Sequence, residues 1–151
     1  MEKQEEKKAK SKALKLKILV PIDGSELSYL AVKRAGQYSK LANVDLTLLT
    51  VLEDVVRFKT VPDTPIYRER ENNAEVFLTK AKKDLNEHGV HCNTKVIVGP
   101  VADEIIRFAV EEGFTSIFMG SRGNRGLKRM LLGSVADEVI KHAHCPVTII
   151  R

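Results

Sequence analysis

The sequence predicts an α/β protein in which an open parallel sheet is covered by helices on both faces. Its 151 residues are 43% hydrophobic and 30% charged, which is the size and composition of one globular domain. Short apolar runs alternate with segments of helical periodicity for nearly the whole chain. Because parallel strands need a crossover connection, which is usually a helix, this alternation favours a parallel sheet.

Five short apolar runs rich in β-branched residues are predicted to be the strands. The first, residues 17–21, ends in a proline that is followed by an Asp-Gly turn. The second, residues 45–52, is apolar with small polar interruptions, as expected of a central strand covered on both faces. The other three are predicted at residues 94–98, 116–119 and 146–150.

Four segments with helical spacing lie between these strands. They are a segment after the predicted N-cap Ser25, residues 71–88, a segment that opens at Gly99-Pro100, and residues 134–143. The last helix is expected to turn Val135, Val139 and Ile140 inward. Residues 53–70 contain two prolines in a mixed polar stretch, so we expect a long irregular connection there.

Most of the formal net charge of +5 lies at the N-terminus, where residues 1–17 hold seven Lys and three Glu. We therefore expect residues 1–15 to be a basic, mobile tail and residues 16–151 to be the domain. Since the domain is nearly neutral and the chain has no Trp for base stacking, nucleic-acid binding is not expected. No apolar run approaches the ~20 residues of a membrane span, and no secretory signal is visible, so we expect a cytoplasmic protein.

The cysteines and histidines predict neither a disulfide nor a metal site. Cys92 and Cys145 form no CxxC pair, and reduced, half-buried thiols are expected. The four histidines fall in two short pairs that lack Cys or carboxylate ligands at metal-site spacing.

Residues 120–134, between the fourth strand and the last helix, form a candidate phosphate-binding loop. The loop has no acidic residue, and it contains the glycines Gly120, Gly123, Gly126 and Gly133 and the basic residues Arg122, Arg125, Lys128 and Arg129. Glycines permit close backbone approach to a ligand, and a helix N-terminus favours an anion. Ser134 is predicted to be the N-cap, with Asp137 completing a capping box. The spacing fits neither the P-loop nor the dinucleotide motif, and composition alone equally allows a glycine-rich surface loop with solvated charges.

The spacing Gly120-x2-Gly123-x9-Gly133-Ser134 resembles the glycine motif of the ATP-binding branch of the universal stress protein (UspA-like) family. Four other segments agree with this resemblance: KILVPIDGS at 17–25, Thr50-Val51, Val98-Gly99-Pro100 and Cys145-Pro146-Val147. Together they cover about residues 16–151. One departure is Thr50, since the family often has His at this position.

The resemblance implies a Rossmann-like fold with strand order 3-2-1-4-5. In that order the winding direction reverses between strands 1 and 4, and open parallel sheets bind ligands beyond the carboxyl ends of strands at such a point. Asp23 follows strand 1 and Gly120 follows strand 4, so the two segments are expected to meet in one crevice.

The resemblance also implies which residues bind the nucleotide. The adenosine is expected beside Pro21, Asp23, the backbone of Val51, and Met119. The ribose and phosphates are expected at Gly120, Gly123, Gly133, Ser134 and Val135. Arg122 is added from its charge. Individual residues have alternative interpretations. Asp23 could only form the turn, the side chains of Val51 and Met119 could belong to the core, and Arg122 could be solvated.

The expected function is ATP (or ADP or AMP) binding in a signalling or stress-response homodimer that pairs through residues 146–150. Mg²⁺ or Mn²⁺ is an optional bridge between the phosphates, since no carboxylate cluster is visible to hold it alone. A slow ATPase or phosphotransferase is one alternative, although Asp23 is the only candidate base and no catalytic residue is assigned. A nucleotide-independent stress-response dimer is the other.

Overall fold

A five-stranded parallel sheet with the order β3-β2-β1-β4-β5 forms the centre of the molecule, as predicted. The structure, a computed structural model, describes residues 15–53, 64–124, 129 and 131–151. Its elements are β1 (Leu16–Pro21), α1 (Glu26–Ser39), β2 (Val44–Glu53), α2 (Pro65–Glu87), β3 (Asn93–Gly99), α3 (Val101–Glu111), β4 (Ser116–Gly120), α4 (Ser134–His142) and β5 (Val147–Ile150).

Two hydrophobic cores lie on opposite faces of the sheet because successive side chains of a strand alternate between the faces. Ile18 and Val20 of β1 pack with α1 and α2 in the first core. Leu19 between them packs with α3 and α4 in the second core, and its side chain is 0% exposed. The helices therefore cover both faces, which confirms the predicted Rossmann-like α/β fold.

The strand register brings the carboxyl ends of β1 and β4 to the same edge of the sheet. Pro21 pairs with Leu49 of β2, and Leu19 pairs with Ile117 of β4. Because β1 lies between β2 and β4, the winding direction reverses at this strand. The crevice that such a reversal creates therefore lies between the segments that follow β1 and β4.

The second helix begins earlier than predicted. α2 starts at Pro65 rather than at residue 71, and the side chain of Thr64 caps it by accepting a hydrogen bond from the Tyr67 N–H at 3.3 Å. Proline is compatible with the first helical turn because its missing N–H has no intrahelical acceptor there. The prediction of an irregular connection up to residue 70 was therefore wrong. The part of that connection at residues 54–63 lies outside the described residues.

The last helix buries Ala136 and Val139, whereas Ile140 is 44% exposed, so the prediction that Ile140 faces inward was wrong. Cys92 and Cys145 are free, and burial raises the pKa of both thiols, which makes them weak nucleophiles at neutral pH. Within the described ranges, no helix is long and apolar enough to cross a membrane. The predicted basic tail falls almost entirely in residues 1–14, which lie outside the described residues.

Candidate functional site

The segment after β1 is held to β2 by two hydrogen bonds. The Ile22 N–H donates to the Leu49 carbonyl at 2.8 Å, and the buried Thr50 hydroxyl donates to the Ile22 carbonyl at 2.9 Å. Thr50 is the position at which the chain departs from the residue that its resemblance suggested. Its side chain has a structural role, which is to fix the end of β1 beside the end of β2.

Asp23 forms the turn that follows. Its Oδ1 accepts a hydrogen bond from the Ser25 N–H at 3.0 Å, so the turn-forming role considered for this residue is real. Gly24 has a φ of 82°, and a Cβ at this position would lie 2.9 Å from the ring of Phe77 in α2. The hydroxyl of Ser25 accepts from the Ser28 N–H at 3.3 Å and caps α1, as predicted. We call residues 22–25 the aspartate turn.

The segment after β4 is anchored to β5 and to the start of α4. The Ser121 N–H donates to the Ile150 carbonyl at 2.7 Å, and the Gly133 N–H donates to the Ser121 carbonyl at 2.6 Å. This segment, residues 120–134, is called the glycine loop from here on. Residues 125–128 and 130 of this loop lie outside the described residues, so the structure gives no position for the predicted Arg125, Gly126 and Lys128.

Ser134 is not the N-cap of α4, which corrects the prediction. Gly133 occupies the cap position, with φ −78° and ψ 162°, and it has no side chain with which to cap the helix. The Asp137 carboxylate accepts from Lys141 at 2.6 Å, so it does not complete a capping box. Ser134 is the first helical residue, it is exposed, and its hydroxyl stands at the positive end of the helix dipole.

The described glycines of the motif are required by close packing. A Cβ at Gly120 would lie 2.9 Å from Cβ of Leu27 in α1, and one at Gly133 would lie 3.2 Å from Cα of Arg122. A Cβ at Gly123 would clash with the Asp23 carboxylate. None of these three glycines has a positive φ, so the absence of a side chain matters here more than backbone freedom.

The aspartate turn and the glycine loop meet, as the topology predicts. The Asp23 Oδ2 accepts from the Asn124 N–H at 3.0 Å, and the Asn124 side-chain amide donates to the Asp23 carbonyl at 2.7 Å. Sequence reasoning singled out Asp23 and Gly123 but missed Asn124, whose single polar side chain carries no recognisable pattern. Asp23 and Asn124 are both exposed, so the carboxylate keeps acceptor capacity that faces solvent.

The other predicted residues lie at the rim of this crevice or beneath it. Pro21 ends β1 and is half-buried. Met119 is 5% exposed and packs in the second core, and Val51 and Val135 are partly buried against the same core. Their side chains therefore fit the core alternative. Arg122 is half-buried in the glycine loop.

A shallow groove runs over α2 and is lined by Thr79, Lys82, Lys83, Asn86 and Glu87. All five residues belong to one helix, whereas the crevice between β1 and β4 joins several elements. Among the residues that the structure describes, no group of three or more His, Cys, Asp or Glu side chains converges to hold a metal ion.

A doubly wound parallel sheet with helices on both faces defines a Rossmann-like α/β protein. Residues 16–151 match the Universal stress protein family, and the chain belongs to that family.

Known relatives support this membership. The chain is 37% identical to Universal stress protein MJ0531 of Methanocaldococcus jannaschii, over 89% of this chain and 81% of that protein. It is similar to the solved structure of MJ0577 with a TM-score of 0.78 and 31% identity, over 91% of this chain and 96% of the other. A universal stress protein from Archaeoglobus fulgidus in complex with dAMP has the same fold, with a TM-score of 0.71, 24% identity, and coverage of 90% and 98%.

Proposed function

We propose that this chain binds an adenine nucleotide, ATP or its products ADP and AMP, in the crevice between the aspartate turn and the glycine loop. The observation that carries the proposal is the direct contact between Asp23 and residues 123–124 at the reversal point of the sheet. The glycine spacing, which resembles that of the ATP-binding branch of the family, supports this proposal. The dAMP complex of the related Archaeoglobus protein supports adenine as the base.

The start of α4 has the chemistry that phosphate binding needs. The first intrahelical hydrogen bond runs from the Asp137 N–H to the Gly133 carbonyl at 2.9 Å. The N–H groups of Ser134, Val135 and Ala136 precede it and have no acceptor within the helix. Together with the helix dipole and the exposed Ser134 hydroxyl, they attract an anion. Mg²⁺ or Mn²⁺ would bind chiefly through the phosphates of the nucleotide.

The aspartate turn has the chemistry that nucleoside binding needs. A carboxylate offers about four acceptor sites, and the two backbone N–H groups of Ser25 and Asn124 occupy two of them in Asp23. The remaining sites suit ribose hydroxyls or the adenine amino group. Because this carboxylate already holds the turn together, it is a poor general base, which favours binding and signalling over rapid hydrolysis.

The same proposal includes a homodimer that pairs through β5, in a cytoplasmic signalling or stress-response role. All four residues of Val147–Ile150 are partly buried, and β5 lies at the edge of the sheet. The carbonyls of Pro146 and Ile150 accept hydrogen bonds from Ile117 and Ser121. Residues of even number therefore face β4, and the backbone groups of residues 147 and 149 point away, where a second copy can pair with them.

Titration calorimetry with ATP and Mg²⁺ tests the nucleotide proposal. The native chain should bind, and Asp23→Ala and Ser134→Ala should each weaken binding about fivefold to tenfold, the effect of one lost hydrogen bond. Ser39→Ala is the matched control, because the Ser39 hydroxyl bonds the Ala35 carbonyl at the opposite end of α1. Absence of binding at millimolar ATP would overturn the proposal.

Sedimentation velocity tests the dimer. Ile149→Pro removes an outward N–H from β5, and Ile149→Ala removes the same core packing but keeps that N–H. The native chain and the alanine variant should sediment as dimers at micromolar concentration, and the proline variant as a monomer. A native chain that is monomeric up to millimolar concentration contradicts the dimer without affecting the nucleotide proposal.

A further inference from the structure

We propose that Asn124 is a positioning residue that couples the nucleoside half of the proposed site to its phosphate half. The inference rests on the nucleotide-binding function proposed above and deepens it. Asn124 is preceded by Gly123, which is part of the glycine motif, but no recognised feature of that motif requires an asparagine here. Its role is to fix the distance between the two halves.

The nucleoside half is fixed from the β2 and α2 side. Thr50 holds the Ile22 carbonyl, and the ring of Phe77 in α2 packs against Gly24. Asp23 is fixed by its hydrogen bond from the Ser25 N–H. These contacts come from residues 22–77 and do not involve the glycine loop.

The phosphate half is fixed from the β5 and α4 side. The Ser121 N–H bonds the carbonyl of Ile150, the last residue of β5, and the Gly133 N–H bonds the carbonyl of Ser121. A Cβ added at Gly133 would lie 3.2 Å from Cα of Arg122, so the two backbone segments approach each other closely. These contacts orient the start of α4 relative to β4 and do not involve the aspartate turn.

Asn124 joins the two halves across the crevice with two hydrogen bonds. Its N–H donates to the Asp23 carboxylate at 3.0 Å, and its side-chain Nδ2 donates to the Asp23 carbonyl at 2.7 Å. The two residues are 101 positions apart in the sequence. The side-chain bond requires a donor at this position, which an asparagine has and an aspartate lacks.

A fixed distance between two half-sites matters only to a ligand that occupies both. Such a ligand gains affinity. Once it is bound to one half, its contact with the other half forms within the complex, at an effective concentration set by the distance between the halves. A ligand that occupies one half gains nothing from the other half being held in place. Asn124 should therefore contribute to the binding of ATP, and contribute little to the binding of adenosine alone or of inorganic tripolyphosphate alone.

Titrations followed by ¹H–¹⁵N NMR test this, because the method measures millimolar dissociation constants. For Asn124→Ala we expect ATP to bind about fivefold more weakly, the effect of one lost hydrogen bond, and each fragment to change less than about twofold. Asn124→Asp should weaken ATP binding further, because it places a second carboxylate beside Asp23. The midpoint temperature of Asn124→Ala should stay close to that of the native chain, since the residue is exposed.

The outcomes separate this inference from the proposed function. Unchanged ATP binding in both variants overturns the inference while leaving nucleotide binding intact. An equal loss for adenosine or for tripolyphosphate also overturns it, because the effect would then belong to one half-site. A native chain that binds ATP but neither fragment overturns the two-half description. A native chain that does not bind ATP overturns the proposed function itself.

Discussion

The chain leaves β1 and β4 at the same edge of the sheet and enters a helix each time through a serine, but the two serines are used differently. The Ser25 hydroxyl accepts from the Ser28 N–H and caps α1. Ser134 follows the cap position, which is occupied by Gly133, a residue with no side chain to cap α4. The aspartate turn therefore uses its serine to complete its own helix. In the glycine loop, the serine is the first helical residue and is exposed.

The two segments are also stabilised by different means. The aspartate turn is held by the hydrogen bond that the Thr50 hydroxyl donates to the Ile22 carbonyl and by the one that the Ser25 N–H donates to the Asp23 carboxylate, so a side-chain oxygen takes part in each. On the β5 and α4 side, the described part of the glycine loop is held by backbone hydrogen bonds and has close approaches at two glycines, Gly120 against Leu27 and Gly133 against Arg122. Substitutions should therefore destabilise the two segments for different reasons: loss of hydrogen bonds in the aspartate turn and steric clashes at the glycines of the glycine loop.

The largest effect is expected for Gly120→Ala. The new Cβ would lie 2.9 Å from Cβ of Leu27 and 3.2 Å from its backbone carbon, and backbone does not move as readily as the end of a side chain. We expect the free energy of unfolding to fall by about 2–3 kcal/mol, measured by urea denaturation. Gly113→Ala is the control, because Gly113 has open space around it and a φ of 67°, so it should lose only about 1 kcal/mol through backbone strain. Equal losses in the two variants would contradict the packing argument.

Thr50→Val should have the next largest effect. It removes the donor to the Ile22 carbonyl and leaves a polar group without its partner in a region where Thr50 is 4% exposed. We expect a loss of about 1–2 kcal/mol in the same measurement. Thr50→Ser keeps the hydroxyl and should lose less. If valine is as stable as serine, the hydrogen bond does not hold the aspartate turn.

The smallest effects test the two serines directly. Ser25→Ala should lower the free energy of unfolding by about 1 kcal/mol, the usual cost of a lost N-cap. Ser134→Ala should change it by less than about 0.5 kcal/mol, since no cap is lost, while it weakens ATP binding. A comparable loss of stability at both positions would mean that Ser134 has a structural role after all.

The sequence predicted the fold well because local patterns determine it. The apolar β-branched runs of β1 and β2 and the helical spacing between strands are short-range signals. The meeting of Asp23 with the glycine loop was also predicted, because the strand order implied by the family resemblance determines which loops share an edge. The early start of α2 was missed because Pro65 was interpreted as a breaker, although proline is compatible with the first helical turn.

Details that depend on tertiary contacts could not be predicted. The N-cap of α4 is Gly133, one residue before the predicted Ser134, and local composition does not distinguish between these two positions. The bond from Thr50 to Ile22 joins residues 28 positions apart, and the bond from Asn124 to Asp23 joins residues 101 positions apart. A single polar residue in a loop gives no sign of so distant a partner.

A crystal structure of the chain grown with ATP and Mg²⁺ would show directly whether a nucleotide occupies the crevice between the aspartate turn and the glycine loop. We expect the adenosine beside Asp23 and the phosphates at the N-terminus of α4, within hydrogen-bond distance of the Ser134 and Val135 N–H groups. Clear density for ATP elsewhere, such as over Lys82 and Lys83 in the groove on α2, would contradict it.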